Sequence, residues 1–272
     1  GSTITGLSID KAANSRVLNA TTDQSLTVNA NGGLSVIEFA DVDGDADAYA
    51  INFAGENGVN AGAVTIDGIE SVTIDSTSET DTGSNAIGLD GDALETVTIS
   101  GEQDLSITFS GATSNLTSID GSAAAGDLNV AVNVADVAVM GGAGDDTIVV
   151  GDKATVTTGA GADDIDVSGT LDTAEMVTIT DFGAGDKISF NDAATFTAAA
   201  TDVSSATNLN KAIELADSAN GTVSWFQYGN NTYVVDSGTT TGVDFSDDAI
   251  VKLTGLIDLS SSTLASNELT FA

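Results

Sequence analysis

The sequence predicts an all-β fold in which a parallel β-solenoid runs into a narrower β-roll and ends in a small α+β C-terminal cap. Three observations predict it. Apolar and polar residues alternate in short runs, one of these runs recurs almost unchanged, and the spacing between runs settles near nine residues. We expect the solenoid over residues 3–130, the roll over 131–192 and the cap over 193–272.

The strands are indicated by runs of four to seven residues that place β-branched residues on alternate positions and end at Gly, Asp, Asn or Ser. The run ESVTI at 70–74 recurs as ETVTI at 95–99. Between Val130 and Ile165, successive strand centres are eight or nine residues apart. Two such strands per coil are typical of a parallel roll, and an antiparallel sandwich with strands of similar length stays open as the alternative.

A helix is predicted at the start of the cap, over residues 204–217. Ser204 or Ser205 is a suitable N-cap for it, and Gly221 lies past its end. Its apolar face is formed by Leu209, Ala212, Ile213 and Ala216.

The rest of the cap is predicted to form strands. Aromatic-rich runs at 225–228 and 232–235 flank Gly-Asn-Asn and predict a hairpin. A further strand at 250–253 precedes an apolar end at 269–272. Because the last coil of a solenoid exposes unpaired strands, we expect the cap to cover them.

The composition excludes several function classes. Asp and Glu number 41 against 6 Lys and Arg, which gives a net charge of −35, and the chain has no His, Cys or Pro. A Cys nucleophile, a Ser-His-Asp triad, His-ligated zinc and disulfides are therefore excluded. Nucleic acid is an unfavourable partner because phosphate binding needs a basic patch. The sequence contains no run of 18 apolar residues, so we expect no insertion into a membrane.

The acidic residues are clustered rather than scattered. Of the 41, 32 are Asp, and many stand at Gly-rich corners. Bound divalent cations explain this pattern better than a salt-adapted surface does. Paired carboxylates can also serve glycoside hydrolysis, but 41 acids bring pairs together by chance and aromatic residues are only 5% of the chain. We expect no enzymatic activity.

The clearest site motif is GGAGDDTIV at 141–149, which fits the nonapeptide G-G-x-G-x-D-x-U-x at every fixed position. Its glycines permit a tight turn with φ > 0 whose carbonyls point at a cation, and its Asp adds charge at the end of the turn. Ca²⁺ takes six to eight oxygen ligands, so an ion held here would bridge two coils. We expect Gly142, Gly144 and Asp146 to contribute to a calcium site.

A second copy of the motif, TGAGADDID at 158–166, departs only at its first glycine, and ITDFGAGDKI follows at 179–188. Asp146, Asp163 and Asp181 are spaced by 17 and 18 residues, about one coil, so we expect them to stack along one edge with calcium between rungs. The opposite turn at 150–154 carries a Lys and is expected to bind no ion. The candidate ligands in this part of the chain are Gly159, Gly161, Asp163, Asp164, Asp181 and Asp186.

Another acidic cluster is DVDGDAD at 41–47, in which Asp41, Asp43 and Asp45 are candidate ligands of a calcium loop. It is not an EF-hand, because Gly44 is not at the sixth position and Asn52 occupies the twelfth. A solvated strand end is the alternative interpretation. Weaker acidic clusters occur at 90–92 and at Asp244 with 247–248.

Residues 95–150 resemble the C-terminal part of RTX-type bacterial S-layer proteins, in which a strand ladder with an LTSID step runs into a GGAGDDT-type repeat. The stretch ITDFGAGDKISF at 179–190 resembles the segment that ends RTX rolls in proteins exported by type I secretion. Residues 225–235 and 247–264 resemble their C-terminal secretion region.

The resemblance implies a structural protein that is exported by the type I machinery through an uncleaved C-terminal signal. It further implies folding in external calcium and assembly with copies of itself into a two-dimensional lattice on the cell surface. Attachment to cell-surface polysaccharide through an upstream region is a further expectation. An RTX adhesin or biofilm protein, and the non-catalytic secretion domain of an exported enzyme, are the alternatives.

Overall fold

The computed structural model describes residues 6–9, 15–33, 35–42, 44, 46–78, 83–111, 113–169, 176–191, 193–217, 221–238 and 248–272. Over these residues the chain is nearly all β, with a parallel β-solenoid of about eight coils and a single short helix. The predicted solenoid fold is therefore confirmed. The chain divides into two compact units, which are Gly1–Val134 with Ala138–Asp146, and Ala135–Val137 with Thr147–Ala272.

In the first unit, successive strands alternate between two sheets, and neighbouring strands within each sheet pair in parallel. One sheet contains β1 (Gly6–Ile9), β3 (Ser25–Val28), β5 (Ala48–Phe53), β7 (Ser71–Ser76), β9 (Thr96–Gly101), β11 (Ser118–Ala124) and β13 (Ala138–Met140). The other contains β2 (Ser15–Ala20), β4 (Ser35–Phe39), β6 (Asn60–Thr65), β8 (Asn85–Asp90), β10 (Leu105–Ser110) and β12 (Leu128–Val132).

The alternation of residue types decides which side chains fill the first unit. In β7, Val72 and Ile74 are buried, while Thr73 between them is exposed. They pair in register with Val97 and Ile99 of β9, so the two copies of the repeated motif stack directly on each other. Each buried side chain of this kind contributes about 1.5–3 kcal/mol. A single coil cannot bury this face alone, so stacking stabilises the unit.

The second unit begins with short parallel strands and ends in an antiparallel cap. Its elements are β14 (Thr147–Val150), β15 (Thr155–Thr157), β16 (Asp164–Asp166), β17 (Val177–Ile179), β18 (Lys187–Ser189), β19 (Thr195–Phe196), α1 (Leu209–Ala216), β20 (Thr222–Tyr228), β21 (Asn231–Ser237), β22 (Ala249–Thr254), β23 (Thr263–Ala265) and β24 (Glu268–Thr270). β14, β16 and β18 pair in parallel, as do β15 and β17. β22 then adds in parallel to β17, and β24 adds antiparallel to β18. The cap therefore covers the last coil, as predicted.

The predicted hairpin of the cap is confirmed as β20 and β21. Gly229 and Asn230 form its two-residue turn with φ of 57° and 67°. Two positive φ values match the twist of a tight hairpin, which explains the choice of Gly and Asn. Asn231, which the sequence placed in the loop, is the first residue of β21.

The helix is shorter than predicted and has a different cap. It starts at Leu209, because the side chain of Asn208 accepts the amide of Lys211 at 2.9 Å. Ser204 lies in a separate turn in which its amide donates to Asp202. The prediction of Ser204 or Ser205 as N-cap was therefore wrong, whereas Ala212, Ile213 and Ala216 form the buried face as expected.

Within the part of the chain that the structure describes, no helix has the length and apolar character that crossing a membrane requires.

Candidate cation-binding turns

The turn at 141–146, in the first unit, is closed by the carboxylate of Asp146, which is only 1% exposed. Its Oδ2 accepts the amide of Gly142 at 2.6 Å, within the same turn. Its Oδ1 accepts the amide of Leu128 at 2.8 Å, at the start of β12. One acidic side chain therefore holds the turn together and ties it to the preceding coil.

The glycines of this motif are required by close approach rather than by backbone conformation. A Cβ on Gly142 would lie 2.5 Å from the carbonyl oxygen of Ala124, and a Cβ on Gly144 would lie 2.4 Å from Oδ1 of Asp127. Neither glycine has a positive φ, so that part of the prediction was wrong here. In the second copy of the motif it was right, because Gly159 and Gly161 have φ of 100° and 137°.

In the second unit, Asp186 closes the turn at 180–186 as Asp146 closes the first. Its Oδ2 accepts the amide of Gly183 at 2.7 Å, and its Oδ1 accepts the amide of Asp163 at 3.1 Å. Asp164 and Lys187 are paired in register, so Asp163 and Asp186 occupy equivalent positions in successive coils. Both are buried, at 1% and 3% exposure.

Asp181 does not continue the column with Asp163, as the sequence predicted. It stands at the other end of the same turn, where its carboxylate accepts the amides of Thr158 at 2.8 Å and Gly159 at 3.0 Å. The reason is the length of the coil. Asp163 and Asp186 are 23 residues apart, because the connection after β16 is longer than the one before it.

Asp164 points away from the turn that it was predicted to serve. It is the first residue of β16, and successive residues of a strand face opposite sides. Its Oδ1 accepts the hydroxyl of Ser189 at 2.8 Å. Partial burial raises the pKa of Asp164, although this hydrogen bond acts in the opposite direction. The structure therefore does not bring Asp164 together with Asp163 at one point.

Burial also raises the pKa of Asp146 and of Asp186, although the backbone amides that donate to each carboxylate act to lower it. Neighbouring carboxylates raise it further, from Asp127 and Asp145 in the first case and from Asp181 in the second. The ionised form is thus disfavoured at both turns. A cation would remove this penalty, because opposite charge stabilises a buried carboxylate.

Two further carboxylates, which the sequence motifs do not include, serve the same edge. Oδ1 of Asp104 accepts the amide of Asp127 at 3.0 Å, and Oδ1 of Asp127 accepts the amide of Asp145 at 2.8 Å. Each bond links one coil to the next. Both residues directly precede an apolar strand residue, Leu105 and Leu128, and this spacing is the signal that could have found them.

The donor chemistry of these turns fits Ca²⁺, which prefers oxygen ligands from carboxylates and carbonyls. Among the described residues, however, no three acidic side chains are grouped closely enough to hold a metal by themselves. A calcium ion here would therefore draw on backbone carbonyls together with Asp146, Asp163 or Asp186. Calcium binding stays a prediction.

The acidic loop at 41–47 is only partly described. Asp43 and Asp45 lie outside the described residues, and Asp41 is exposed. Asp47 links the loop to the next coil, because its amide donates to Oε2 of Glu70 at 2.7 Å and its carbonyl accepts the Glu70 amide. The Oδ2 atom of Asp47 is buried and accepts no hydrogen bond. The calcium loop predicted here stays a prediction.

The weaker clusters have structural roles where they are described. Oδ1 of Asp92 accepts the amide of Gly68 at 2.9 Å, which links two coils of the first unit. In the cap, Oδ1 of Asp248 accepts the amide of Gly238 at 2.9 Å. Asp244 and Asp247 lie outside the described residues.

No family model and no curated protein matches the chain.

Proposed function

We propose that this chain is a structural protein of a bacterial surface layer, which folds with calcium and assembles with its own copies into a two-dimensional lattice. The observation that supports the proposal best is the set of buried carboxylates at equivalent turns. These carboxylates are Asp146 in the first unit and Asp163 and Asp186 in the second.

The net charge gives calcium its role in this proposal. At −35, the compact state is opposed by self-repulsion, and the carboxylates of Asp146, Asp163 and Asp186 are also withdrawn from water. An ion that binds only the folded chain stabilises it by about 2.7 kcal/mol at 100 times its dissociation constant. In a low-calcium cytosol the chain would stay open for type I export, and it would fold outside the cell.

Assembly needs surfaces where copies with the same charge can meet. The outer face of β6, β8 and β10 has a shallow depression of about 370 Å³, and no charged residue is among its described lining. The side chains there are small or hydroxylated, such as Ala63, Ser106 and Thr108. A neutral patch of this kind suits a contact between two copies of a strongly acidic chain.

Calcium dependence is tested by circular dichroism and thermal melting in CaCl₂, in MgCl₂ and in EGTA. We expect calcium alone to raise the melting temperature, and the substitutions Asp146→Asn and Asp186→Asn to reduce the rise. Asp258→Asn is the matched control, because Asp258 is exposed and accepts local hydrogen bonds from Ser260, two residues away. An identical melt in calcium and EGTA would contradict calcium-dependent folding.

Assembly is tested separately by electron microscopy and sedimentation of the same samples. Ordered sheets in calcium that dissolve in EGTA are the expected result. Monomers at every calcium concentration, in protein that melts cooperatively, would contradict the lattice while leaving calcium binding standing.

A further inference from the structure

The depression on the outer face of the first unit contains a glycine that its own strand does not need. Gly88 lies within β8, and its φ is not positive. A Cβ there would lie 3.4 Å from Oγ1 of Thr108 and 3.6 Å from Cα of Ala63, which are ordinary contact distances. The neighbouring irregularity in register lies in β6, between Asn60 and Ala63. The fold of one chain therefore gives no reason for glycine at position 88.

Three other strand glycines of this unit are explained within the chain. Gly62 in β6 and Gly101 in β9 have φ of 73° and 113°, which residues with a side chain disfavour. A Cβ on Gly121 in β11 would lie 2.4 Å from Cδ1 of Leu128. Gly88 differs from all three. A glycine in a strand weakens it, and it often marks the close approach of a ligand or of another backbone.

An apolar side chain is the occupant that suits this depression. Its described lining has small and hydroxylated residues and no charge. Its volume of about 370 Å³ is ample, since a cavity of about 150 Å³ already holds a benzene ring. Among the residues that the structure describes, two large hydrophobic side chains are exposed, Leu18 at 57% and Leu256 at 62%.

Leu256 is exposed on a backbone that is fixed on both sides. The amide of Gly255 donates to Oδ1 of Asn231 at 3.3 Å, and the amide of Ile257 donates to Oγ1 of Thr232 at 2.8 Å. Both partners belong to β21, in the core hairpin of the cap. Because the segment is already ordered, burying Leu256 against a partner costs little further entropy.

The surroundings of the two exposed leucines differ in charge. Leu18 is paired in register with Glu38, which forms an ion pair with Arg16, so a contact there would withdraw both charges from water. Leu256 has uncharged neighbours on either side along the chain. The nearest acid in sequence, Asp258, accepts a hydrogen bond within its own turn. Leu256 is therefore the better match for an uncharged depression on a chain of charge −35.

We infer that Leu256 of one copy inserts into the depression over Gly88 of a second copy. This inference rests on the proposed self-assembly and names two surfaces that meet in it. Because the two surfaces are different, the contact is heterologous, and each pair keeps one free Leu256 and one free depression. Such a contact repeats along a row, as the growth of a lattice requires, whereas a two-fold contact would stop at a dimer.

The first test compares variants by sedimentation in CaCl₂. Leu256→Ser should weaken self-association about tenfold or more, because the side chain that becomes buried is lost. Gly88→Val should weaken it similarly and leave the melting temperature unchanged or higher, because a β-branched residue suits a strand. Leu18→Ser and Thr73→Val, at exposed positions outside both surfaces, are the matched controls and should sediment like the parent.

The second test uses the absence of cysteine from the chain. Leu256→Cys and Ser106→Cys, the latter in the lining of the depression, are mixed and treated with a short bis-maleimide. We expect cross-linked dimers from this mixture and monomers from each variant alone. Leu18→Cys mixed with Ser106→Cys is the control and should stay monomeric.

The inference is overturned if Leu256→Ser or Gly88→Val assembles like the parent, if Gly88→Val melts at a lower temperature, or if the first mixture does not cross-link. Dimers from Ser106→Cys alone would also overturn it, since they would indicate a two-fold contact. Any of these results in a parent that forms sheets leaves the lattice standing. Cross-linked dimers from the mixture, in a parent that forms no sheets, would support this contact and contradict the lattice.

Discussion

Two kinds of turn close the coils, and they satisfy the backbone in different ways. The turns at 66–70, 91–95 and 113–117 of the first unit place an aliphatic side chain inside the corner. Ile69, Leu94 and Leu116 are buried there, at 0%, 0% and 2% exposure. The turns at 141–146 and 180–186 place a carboxylate inside instead. We call the first kind apolar turns and the second kind carboxylate turns.

The hydrogen bonds follow the same division. At the apolar turns, backbone carbonyls accept the amides of the next coil, as when the oxygen of Glu70 accepts the amides of Glu95 and Thr96 at 2.8 and 2.9 Å. At the carboxylate turns, Asp146 and Asp186 accept the amides themselves. The apolar turns bury no carboxylate, so packing and hydrogen bonds between coils stabilise them without buried charge. The carboxylate turns carry buried charge, so their stability depends on what neutralises it.

The largest effect is expected at an apolar turn. Leu94→Ala should lower the free energy of unfolding by about 4 kcal/mol, because it removes buried area and leaves a cavity. The loss, measured by urea denaturation and circular dichroism, should be equal in calcium and in EGTA. Leu18→Ala, at a side chain that is 57% exposed, is the control and should change stability by less than about 0.5 kcal/mol. A calcium-dependent loss in Leu94→Ala would break the distinction between the turns.

A carboxylate turn should respond differently. Asp186→Ala leaves the amides of Gly183 and Asp163 without their acceptor, at a cost of about 3 kcal/mol. Because Trp225 is the single tryptophan and lies in β20, its fluorescence follows the second unit. We expect Asp186→Ala to lower the free energy of unfolding more in calcium than in EGTA. Equal losses in both would show that amide bonding accounts for the whole role of Asp186.

The glycine requirement gives a smaller effect. Gly144→Ala should cost about 2 kcal/mol, because the new Cβ would lie 2.4 Å from Oδ1 and 2.7 Å from the amide nitrogen of Asp127, and the coils must shift. Gly183→Ala is the control in a carboxylate turn, because the atoms nearest to its Cβ are 3.7 and 3.8 Å away. Similar losses in the two variants would contradict a requirement based on close approach.

The smallest effect concerns an exposed acid in an apolar turn. Burial, followed by repulsion from Asp92 and Asp90, raises the pKa of Asp67. A raised pKa in the folded state means that the folded chain binds the proton more readily, so stability falls as the pH rises through that pKa. Asp67→Asn should therefore stabilise the chain at pH 7, by a few tenths of a kcal/mol because the site is exposed.

The gain from Asp67→Asn should disappear near pH 3, below the ordinary pKa of Asp at about 3.9, where the parent carboxyl is protonated in both states. It should also shrink at about 1 M salt, which screens the three acids from one another. Urea denaturation at both pH values measures the difference. A loss of stability at pH 7 would mean that the hydrogen bond from the Asp92 backbone outweighs the repulsion.

The strands and their stacking could be predicted from sequence, because alternating burial is a local property that Val72 and Ile74 display within five residues. The length of a coil is not local. A spacing of 18 residues led from Asp163 to Asp181, whereas the longer connection after β16 places Asp186 in that position. The amides of Leu128 and Asp163, which Asp146 and Asp186 accept, were also beyond the reach of the pattern, since they belong to other coils. The start of α1 depended on Asn208, one of several possible caps.

The pairing of β22 with β17 has a consequence for the order in which the chain folds. These strands are joined through the whole hairpin and α1, and β24 must likewise return to β18. Contacts between segments so distant along the chain form late, because closing a long loop costs entropy before any contact repays it. We expect the second unit to become protected from hydrogen exchange only after residues 249–270 have joined it. The strands that complete both of its sheets are therefore the ones that come last in this unit.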